Sequence, residues 1–384
     1  MNRRDFMEVS AKAASLAALA KFGMFSFSPA NASEEEFAWP HEQFKFQVGD
    51  LPLQKGGSLK DTFLLVDTHG TLNADKSNAI IYPTCYSGSH FLNRMSIGFD
   101  RALDPSKYCI IIPNMITSGF STSPSNQAAP HDGPRFPEVT YYDNIEAQHR
   151  LLTSHYGINN PLLYIGFSMG GQQAFHWGVQ HGANTGAIVP VAGTAKTTPH
   201  NWAFLEGLKQ SMHCSADFNG GEYESPPVKG MRAFSTVYAS WWYGQEGYRE
   251  GLNLLWDGEP AFEQGTHYIE NAAIGHFSQF DANDLMSQLN TWQIGDIGNH
   301  EKYGGDWKAA LGDIACPALL MPAETDLYFP PLDNEIEVTH MRDARVAVIP
   351  SKRGHIGATL APGLAPEESN FADHQIKQLI ARIT

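Results

Sequence analysis

Gly166-Phe167-Ser168-Met169-Gly170, followed by Gly171, sets one hydroxyl among residues small enough to let a chain turn sharply. A serine hydroxyl is a weak nucleophile until a base takes its proton. Both parts of such a base lie downstream. Asp326 stands in Pro322-Ala323-Glu324-Thr325-Asp326-Leu327, just after the apolar run Ala318–Met321. His355 stands in Ser351-Lys352-Arg353-Gly354-His355, just after the run Arg345–Ile349. Serine, then acid, then histidine, each following an apolar run, is an order in which nucleophile and partners gather at one edge of a parallel sheet. The chain carries 16 histidines, so place in that order, not residue type, selects His355. Glu324 is the rival acid. In this arrangement His355 accepts the Ser168 proton while Asp326 orients the imidazole and stabilises its charged form. The product is an acyl-enzyme that a second nucleophile resolves. Backbone donors for the tetrahedral oxyanion are expected at Met169, directly after the nucleophile, and at Tyr86 in the loop Pro83–Gly88. Cys85 beside it lacks such a turn and reads as loop packing.

These residues need a sheet to hold them. The runs Ala79–Tyr82, Tyr108–Ile112, Leu162–Ile165, Ala187–Val191, Ala318–Met321 and Val346–Ile349 are apolar without alternation, which predicts strands buried on both faces. Helical patterns occupy Asp143–His155, Met169–His181 and Ala372–Ile383. Strand–helix alternation predicts an α/β architecture with a mostly parallel sheet and right-handed crossovers. Phe44–Val48 and Thr62–Asp67, joined through Gly56-Gly57, predict an antiparallel pair ahead of it. The alternation lapses between Thr197 and Asp306, a stretch holding Trp202, Trp241, Trp242, Trp256 and Trp292. It is expected to be a helical cap, residues 197–305, inserted between core segments 33–196 and 306–384. Trp241 and Trp242 are candidate substrate-binding residues, because ligands in open α/β sheets bind at the edge such a cap covers.

The strand Leu162–Ile165, the turn at Ser168 and the helix beyond it fit the nucleophile turn of an α/β-hydrolase fold. The chain resembles the homoserine O-acetyltransferase family over most of residues 44–195 and 306–360. Asp67-Thr68-His69-Gly70-Thr71-Leu72-Asn73 is similar to that family's Y-x-T-x-G-x-L-N segment. Phe136-Pro137-Glu138-Val139-Thr140, with Asp143, is similar to its F-P-x-x-T-x-x-D stretch, and Gly166–Gly171 and Asp326–Pro331 match as well. The resemblance implies that Ser168, Asp326 and His355 are the triad and that Tyr86 lies on the oxyanion loop. Three departures accompany it. Ile356 stands where the family's acetyltransferases carry Asp after the catalytic His. Lys209 is the nearest match to an arginine of the first cap helix that helps hold the amino-acid substrate, and a lysine point charge does not replace a guanidinium fork on a carboxylate. Pro83–Gly88 differs from the family's His-Ala-Leu-Thr-Gly. The first two weaken the case for a zwitterionic amino-acid acceptor. The expected function is a serine hydrolase of carboxylic esters or related small acyl compounds. The alternatives are an acyl-CoA-dependent O-acyltransferase and a non-catalytic binding protein on the same scaffold.

The N-terminus predicts export. Arg3-Arg4 lies in Asn2–Met7, apolar stretches follow at Ala13–Ala20 and Phe22–Phe27, and Ala30-Asn31-Ala32 offers a cleavage site. Residues 1–32 are therefore expected to be a twin-arginine signal peptide, with the Tat export machinery as partner and a periplasmic or secreted destination. Acetyl-CoA is cytosolic, so export leaves water as the available acceptor. The signal is too short to span a bilayer, and no other segment is apolar enough. A net charge of −15 with no Lys/Arg cluster beyond short pairs excludes a nucleic-acid partner. Hydrophobic content of 42% against 17% charged places the chain among globular proteins. Cys85, Cys109, Cys214 and Cys316 form no C-x-x-C pair, which argues against a zinc or redox site. Cys109 and Cys316 read as buried free thiols, although an oxidising compartment permits disulfides. His41-Glu42 lacks metal-ligand spacing to other candidates. No metal or organic cofactor is expected, and a homodimer is expected on general grounds.

Overall fold

The computed structural model describes residues 37–256 and 258–384, so the expected signal peptide, residues 1–32, lies outside the described residues. Eight strands form the central sheet: β1 His41–Pro52, β2 Ser58–His69, β3 Ala79–Ile81, β4 Cys109–Pro113, β5 Leu163–Phe167, β6 Ala187–Val191, β7 Ala318–Leu320 and β8 Ala344–Val346. Their spatial order is β1-β2-β4-β3-β5-β6-β7-β8. β1 and β2 are antiparallel, β2 and β4 are antiparallel, and every later pairing is parallel.

The runs without polar alternation are explained by two apolar layers. Neighbouring strand residues point to opposite faces. Ile110 and Ile112 enter one hydrophobic cluster and Ile111 the other. Helices cover both faces: α1 His90–Arg94, α2 Tyr141–Arg150, α3 Met169–His181, α4 Pro199–His213, α5 Val228–Trp242, α6 Ala282–Gln293, α7 Trp307–Asp313, α8 Pro331–Val338 and α9 Pro366–Ile383. α2 and α3 pack Ile145, Ala174, Phe175 and Trp177 on the second face. On the first face the cluster runs without a break from Ile80 and Leu319 into Phe204, Leu208, Phe234, Leu285 and Trp292 of the cap. The expected cap therefore shares the core of the sheet, and it also encloses a small cluster of its own around Ala239, Tyr268, Ala272 and Ala273. It also holds a short antiparallel ribbon, Leu255–Trp256 with Glu259–Pro260, where few strand signals were expected.

Element ends differ from expectation for local reasons. α2 starts two residues early because Thr140 and Asp143 form a capping box: the Thr140 side chain accepts the Asp143 N–H, and the Asp143 carboxylate accepts the Thr140 N–H at 2.7 Å. Its C-terminal continuation, Leu151–Tyr156, is a π-helical turn. α9 starts at Pro366 because proline suits the first helical position and Glu367 and Glu368 suit the positive helix start. β8 ends at Val346, and only an isolated bridge, Ala323 to Ile349, continues it toward His355. Among the described residues no helix is long and apolar enough to cross a membrane.

α8 carries a buried acid under the sheet edge. Glu337 accepts the Ala195 N–H and an Asn334 amide N–H, each at 2.7 Å. Burial pushes its carboxyl from the ordinary 4.5 up to about 8. The folded chain thus keeps a proton that the unfolded chain has released. The stability this contributes is complete below about pH 4.5 and is lost as pH rises toward 8. Glu337→Gln should flatten the fall in melting temperature over that window, as measured by calorimetry across a pH series. An unchanged slope would place the pH dependence elsewhere.

Candidate active site

Ser168 links β5 directly to α3, with φ 58° and ψ −122°. A non-glycine residue with positive φ is strained, at a cost of about 1–3 kcal/mol, and persists only where its surroundings hold it. The Ser168 N–H donates to Val191 O of β6 at 2.8 Å, and Ser168 O accepts the Gln172 N–H at 3.1 Å. The flanking glycines are needed for close approach. A Cβ on Gly166 would sit 2.1 Å from Gly170 O, and one on Gly171 would sit 2.9 Å from Val191 O. The turn therefore presses strand, helix and the neighbouring strand together, and Ser168 crowns the N-terminal end of α3.

The loop after β7 carries Asp326 and the loop after β8 carries His355. His355 Nδ1 donates to Asp326 Oδ2 at 2.7 Å. Asp326 Oδ1 accepts the Tyr328 and Phe329 N–H groups at 2.8 and 3.3 Å. With its Nδ1 proton engaged, the imidazole keeps its Nε2 lone pair for a base's work. Glu324, the rival acid, is exposed, and its N–H bonds to Ile349 O. Thr325 ties the two loops, donating from Oγ1 to Ser351 O at 2.8 Å and accepting the Gly354 N–H at 3.0 Å. Sequence reasoning missed this tie because a threonine between two acids carries no signal of its own. The His355 ring packs 4.6 Å from that of Phe167, the residue before Ser168, and edge-on at 4.7 Å from Tyr328. Ser168, Asp326 and His355 are all buried.

Tyr86 lies in the turn after β3. Among the described residues no group accepts from the Tyr86 or the Met169 amide. The α3 terminus adds the positive end of its helix dipole at Met169. The Tyr86 ring stacks on Tyr238 at 5.6 Å and packs against Trp292 and Phe277. Trp241 stacks on Tyr328 at 5.8 Å, one ring removed from His355. Trp242 stacks on Phe277, one ring removed from Tyr86. Lys209 is taken up within the cap, where its ammonium donates to Asn290 at 2.8 Å and to Gln293. Burial lowers its pKa.

The fold also gathers His41, Asp67 and His69, whose candidate ligand atoms lie within 4.8 Å of one another. This corrects the reading of His41 as lacking ligand partners. Antiparallel pairing sets His41 opposite His69, a proximity that linear spacing hides. The Arg94 guanidinium occupies both oxygens of Asp67, at 2.8 and 2.9 Å, and His69 Nδ1 accepts the Trp39 indole N–H. Burial works to raise the Asp67 carboxyl, but hydrogen bonds from His69 and Arg94 outweigh it and hold the group well below its usual range. These atoms are arranged as an ion-pair cluster. All four cysteines are free, and burial pushes the thiols of Cys85, Cys109 and Cys316 up to about 12, which removes them as nucleophiles.

The sheet order, the strand–turn–helix at Ser168 and the helices on both faces define an α/β-hydrolase fold, and a family model for that fold matches residues 78–212. The chain belongs to the α/β-hydrolase family and is an enzyme of the esterase or acyltransferase type. It is 37% identical to a probable esterase of Corynebacterium glutamicum, over 81% of this chain and 88% of that one. It is 35% identical to an ethyl acetate hydrolase of Pseudomonas veronii, with the same coverage. A homoserine O-acetyltransferase of Chlorobaculum parvum is 28% identical over 79% of this chain and 87% of its own length, so the resemblance seen in the sequence holds at greater distance. The structure superposes on an acetylester hydrolase from Corynebacterium glutamicum with a TM-score of 0.83 and 34% identity, covering 88% of this chain and 96% of that one.

His355 is bonded to Asp326 and not to Glu324, which makes Asp326 the expected acid. Asp326→Asn should lower turnover of a nitrophenyl ester by about 10⁴-fold by favouring the wrong imidazole tautomer. Glu324→Gln should leave turnover within about twofold, as expected for an exposed side chain. The reverse ranking would move the acid to Glu324.

Proposed function

We propose that this protein is a serine ester hydrolase acting through Ser168, His355 and Asp326 on small esters, short acyl esters such as acetates among them. The observation that carries the reading is the buried His355–Asp326 hydrogen bond set against the strained turn at Ser168. In the reaction, Ser168 Oγ attacks the acyl carbon as its proton passes to His355 Nε2. The Met169 and Tyr86 N–H groups hold the oxyanion, and the alcohol leaves with the proton from His355. Water, deprotonated by the same imidazole, then attacks the acyl-enzyme and releases the acid.

The preference for small acyl groups rests on the names of the relatives, an ethyl acetate hydrolase and an acetylester hydrolase, and on the bulk of Tyr86, Tyr238, Trp292 and Tyr328 around the catalytic loops. Water as the acceptor is supported by Lys209, whose ammonium is engaged inside the cap, and by an isoleucine at position 356. The transferase reading keeps one support, the family tie to homoserine O-acetyltransferases. We further place the mature protein outside the cytoplasm, on the strength of Arg3-Arg4 and Ala30-Asn31-Ala32.

Three experiments test these readings. Purified protein should release acid from nitrophenyl acetate and from ethyl acetate, and should transfer no acetyl group from acetyl-CoA to homoserine. Efficient homoserine acetylation would overturn the hydrolase reading. A fluorophosphonate should label Ser168, and Ser168→Ala should lose label and about 10⁶-fold in turnover while remaining folded. Fractionation of the source cells should find the mature chain outside the cytoplasm, and a lysine pair in place of Arg3-Arg4 should retain it inside.

A further inference from the structure

The oxyanion loop is strung between the sheet and the cap. Its first half is fixed to the core. Asn93 of α1 donates from Nδ2 to Tyr82 O and Pro83 O at 2.8 and 3.2 Å, and Gln173 of α3 donates to Thr84 O at 3.0 Å. Its second half is fixed to one face of α6. The Tyr86 hydroxyl donates to Leu285 O at 3.2 Å, and the Ser87 N–H donates to Gln288 Oε1 at 2.7 Å. Ser87 Oγ also meets His276 Nε2 at 3.0 Å. Residues 285 and 288 are one helical turn apart, so both anchors belong to the same stripe of the helix.

Ser87 has φ 46°, a left-handed conformation that a serine keeps only where it is held. The Gln288 oxygen is placed to hold it. As an acceptor facing the Ser87 amide, it fixes the plane of the peptide between Tyr86 and Ser87. A flipped peptide would turn the Tyr86 carbonyl toward that oxygen and be repelled. Packing alone does not account for an amide at this position. Gln288 is 1% exposed, and its Nε2 has no acceptor among the described residues. A hydrocarbon of the same size would fill the space without a buried orphan donor.

We propose that Gln288 is a positioning residue: by holding the Ser87 amide it keeps the Cys85–Gly88 turn, closed by the Gly88 N–H on Cys85 O at 3.1 Å, that presents the Tyr86 N–H of the preceding peptide to the oxyanion, so the cap contributes to the chemical step as well as to covering the site. This rests on the serine-hydrolase reading above. Gln288 acts through Ser87 and Tyr86 and does not itself touch the reacting atoms.

The test is Gln288→Met, which keeps volume and removes the acceptor. It should lower kcat for nitrophenyl acetate by about 10- to 100-fold, below the full loss of an oxyanion donor, with KM within about twofold of the parent. Inactivation by a fluorophosphonate should slow by the same factor, because charge builds on the phosphoryl oxygen in the same place. Rates are expressed per titrated active site, so a purely structural role would change the melting temperature and the active fraction but neither rate constant. Gln288→Asn, one methylene too short to reach Ser87, decides the matter if the methionine variant does not fold. A folded variant with both rate constants unchanged overturns the proposal while the hydrolase reading stands. A parent protein that neither hydrolyses the ester nor takes the label overturns the hydrolase reading itself.

Discussion

A parallel sheet ends in backbone, and a side chain carried directly at a strand's end is raised above the edge when the chain reverses within about one residue. At Ser168 that reversal requires three backbones to meet with no Cβ between them: Gly166 against Gly170, and Gly171 against Val191 of the next strand. The contact explains why strand, serine and helix follow one another without a linker. It also fixes the serine relative to β6. Everything else in the site is placed with respect to this turn. The helix lends it a free amide and a positive end, and Phe167, still inside the strand, offers the face on which the imidazole rests.

The second constraint is electrostatic. A carboxylate as buried as Asp326 is costly unless its lone pairs are used. Two backbone amides and the imidazole use them, and the same three bonds leave the carboxylate one orientation. The loops that carry Asp326 and His355 come from adjacent parallel strands, so the sheet sets their spacing and Thr325 sets their phase. The cap closes on this pair at very short range. A Cβ at Gly244 would lie 2.6 Å from Thr325 Oγ1, and one at Gly354 would lie 2.3 Å from Gly244 N. Cap and catalytic loops are thus in backbone contact, which fits their common hydrophobic cluster.

How much of this could be read from the sequence follows from which contacts are local. The inner strands were legible because burial on both faces removes polar residues altogether. The position of Ser168 was legible because G-x-S-x-G between a buried apolar run and a helical pattern marks a sharp turn with the serine at its apex. Asp326 and His355 followed because loop order along a parallel sheet mirrors chain order. The ion cluster of His41, Asp67, His69 and Arg94 was not legible, since it depends on the register of β1 against β2. The helices of the cap were visible as a class, but their contacts were not. Trp241 and Trp242, chosen for their size, lie one ring away from the residues around the site, while Tyr238, Tyr328 and Trp292 make the close packing. Aromatic periodicity on a helix says which face is buried and does not say against what.

Acceptor choice is where sequence departure and structure meet. An amino-acid acceptor brings a carboxylate and an ammonium, each needing a fixed opposite charge in a site from which water is largely removed. Lys209 is the cation that stands nearest to the family's arginine, yet its ammonium is turned to Asn290 and Gln293 and bonded there. Recruiting it would break those bonds and leave the buried Gln293 amide oxygen unpaired, a cost on the order of 1–3 kcal/mol. The half-buried isoleucine after His355 offers no negative charge for an ammonium. A neutral ester meets neither difficulty, because its recognition needs shape, apolar surface and two amides for one developing charge. The same features that weaken binding of a zwitterion therefore support the hydrolytic reading proposed above, in which water needs no binding site beyond reach of the imidazole.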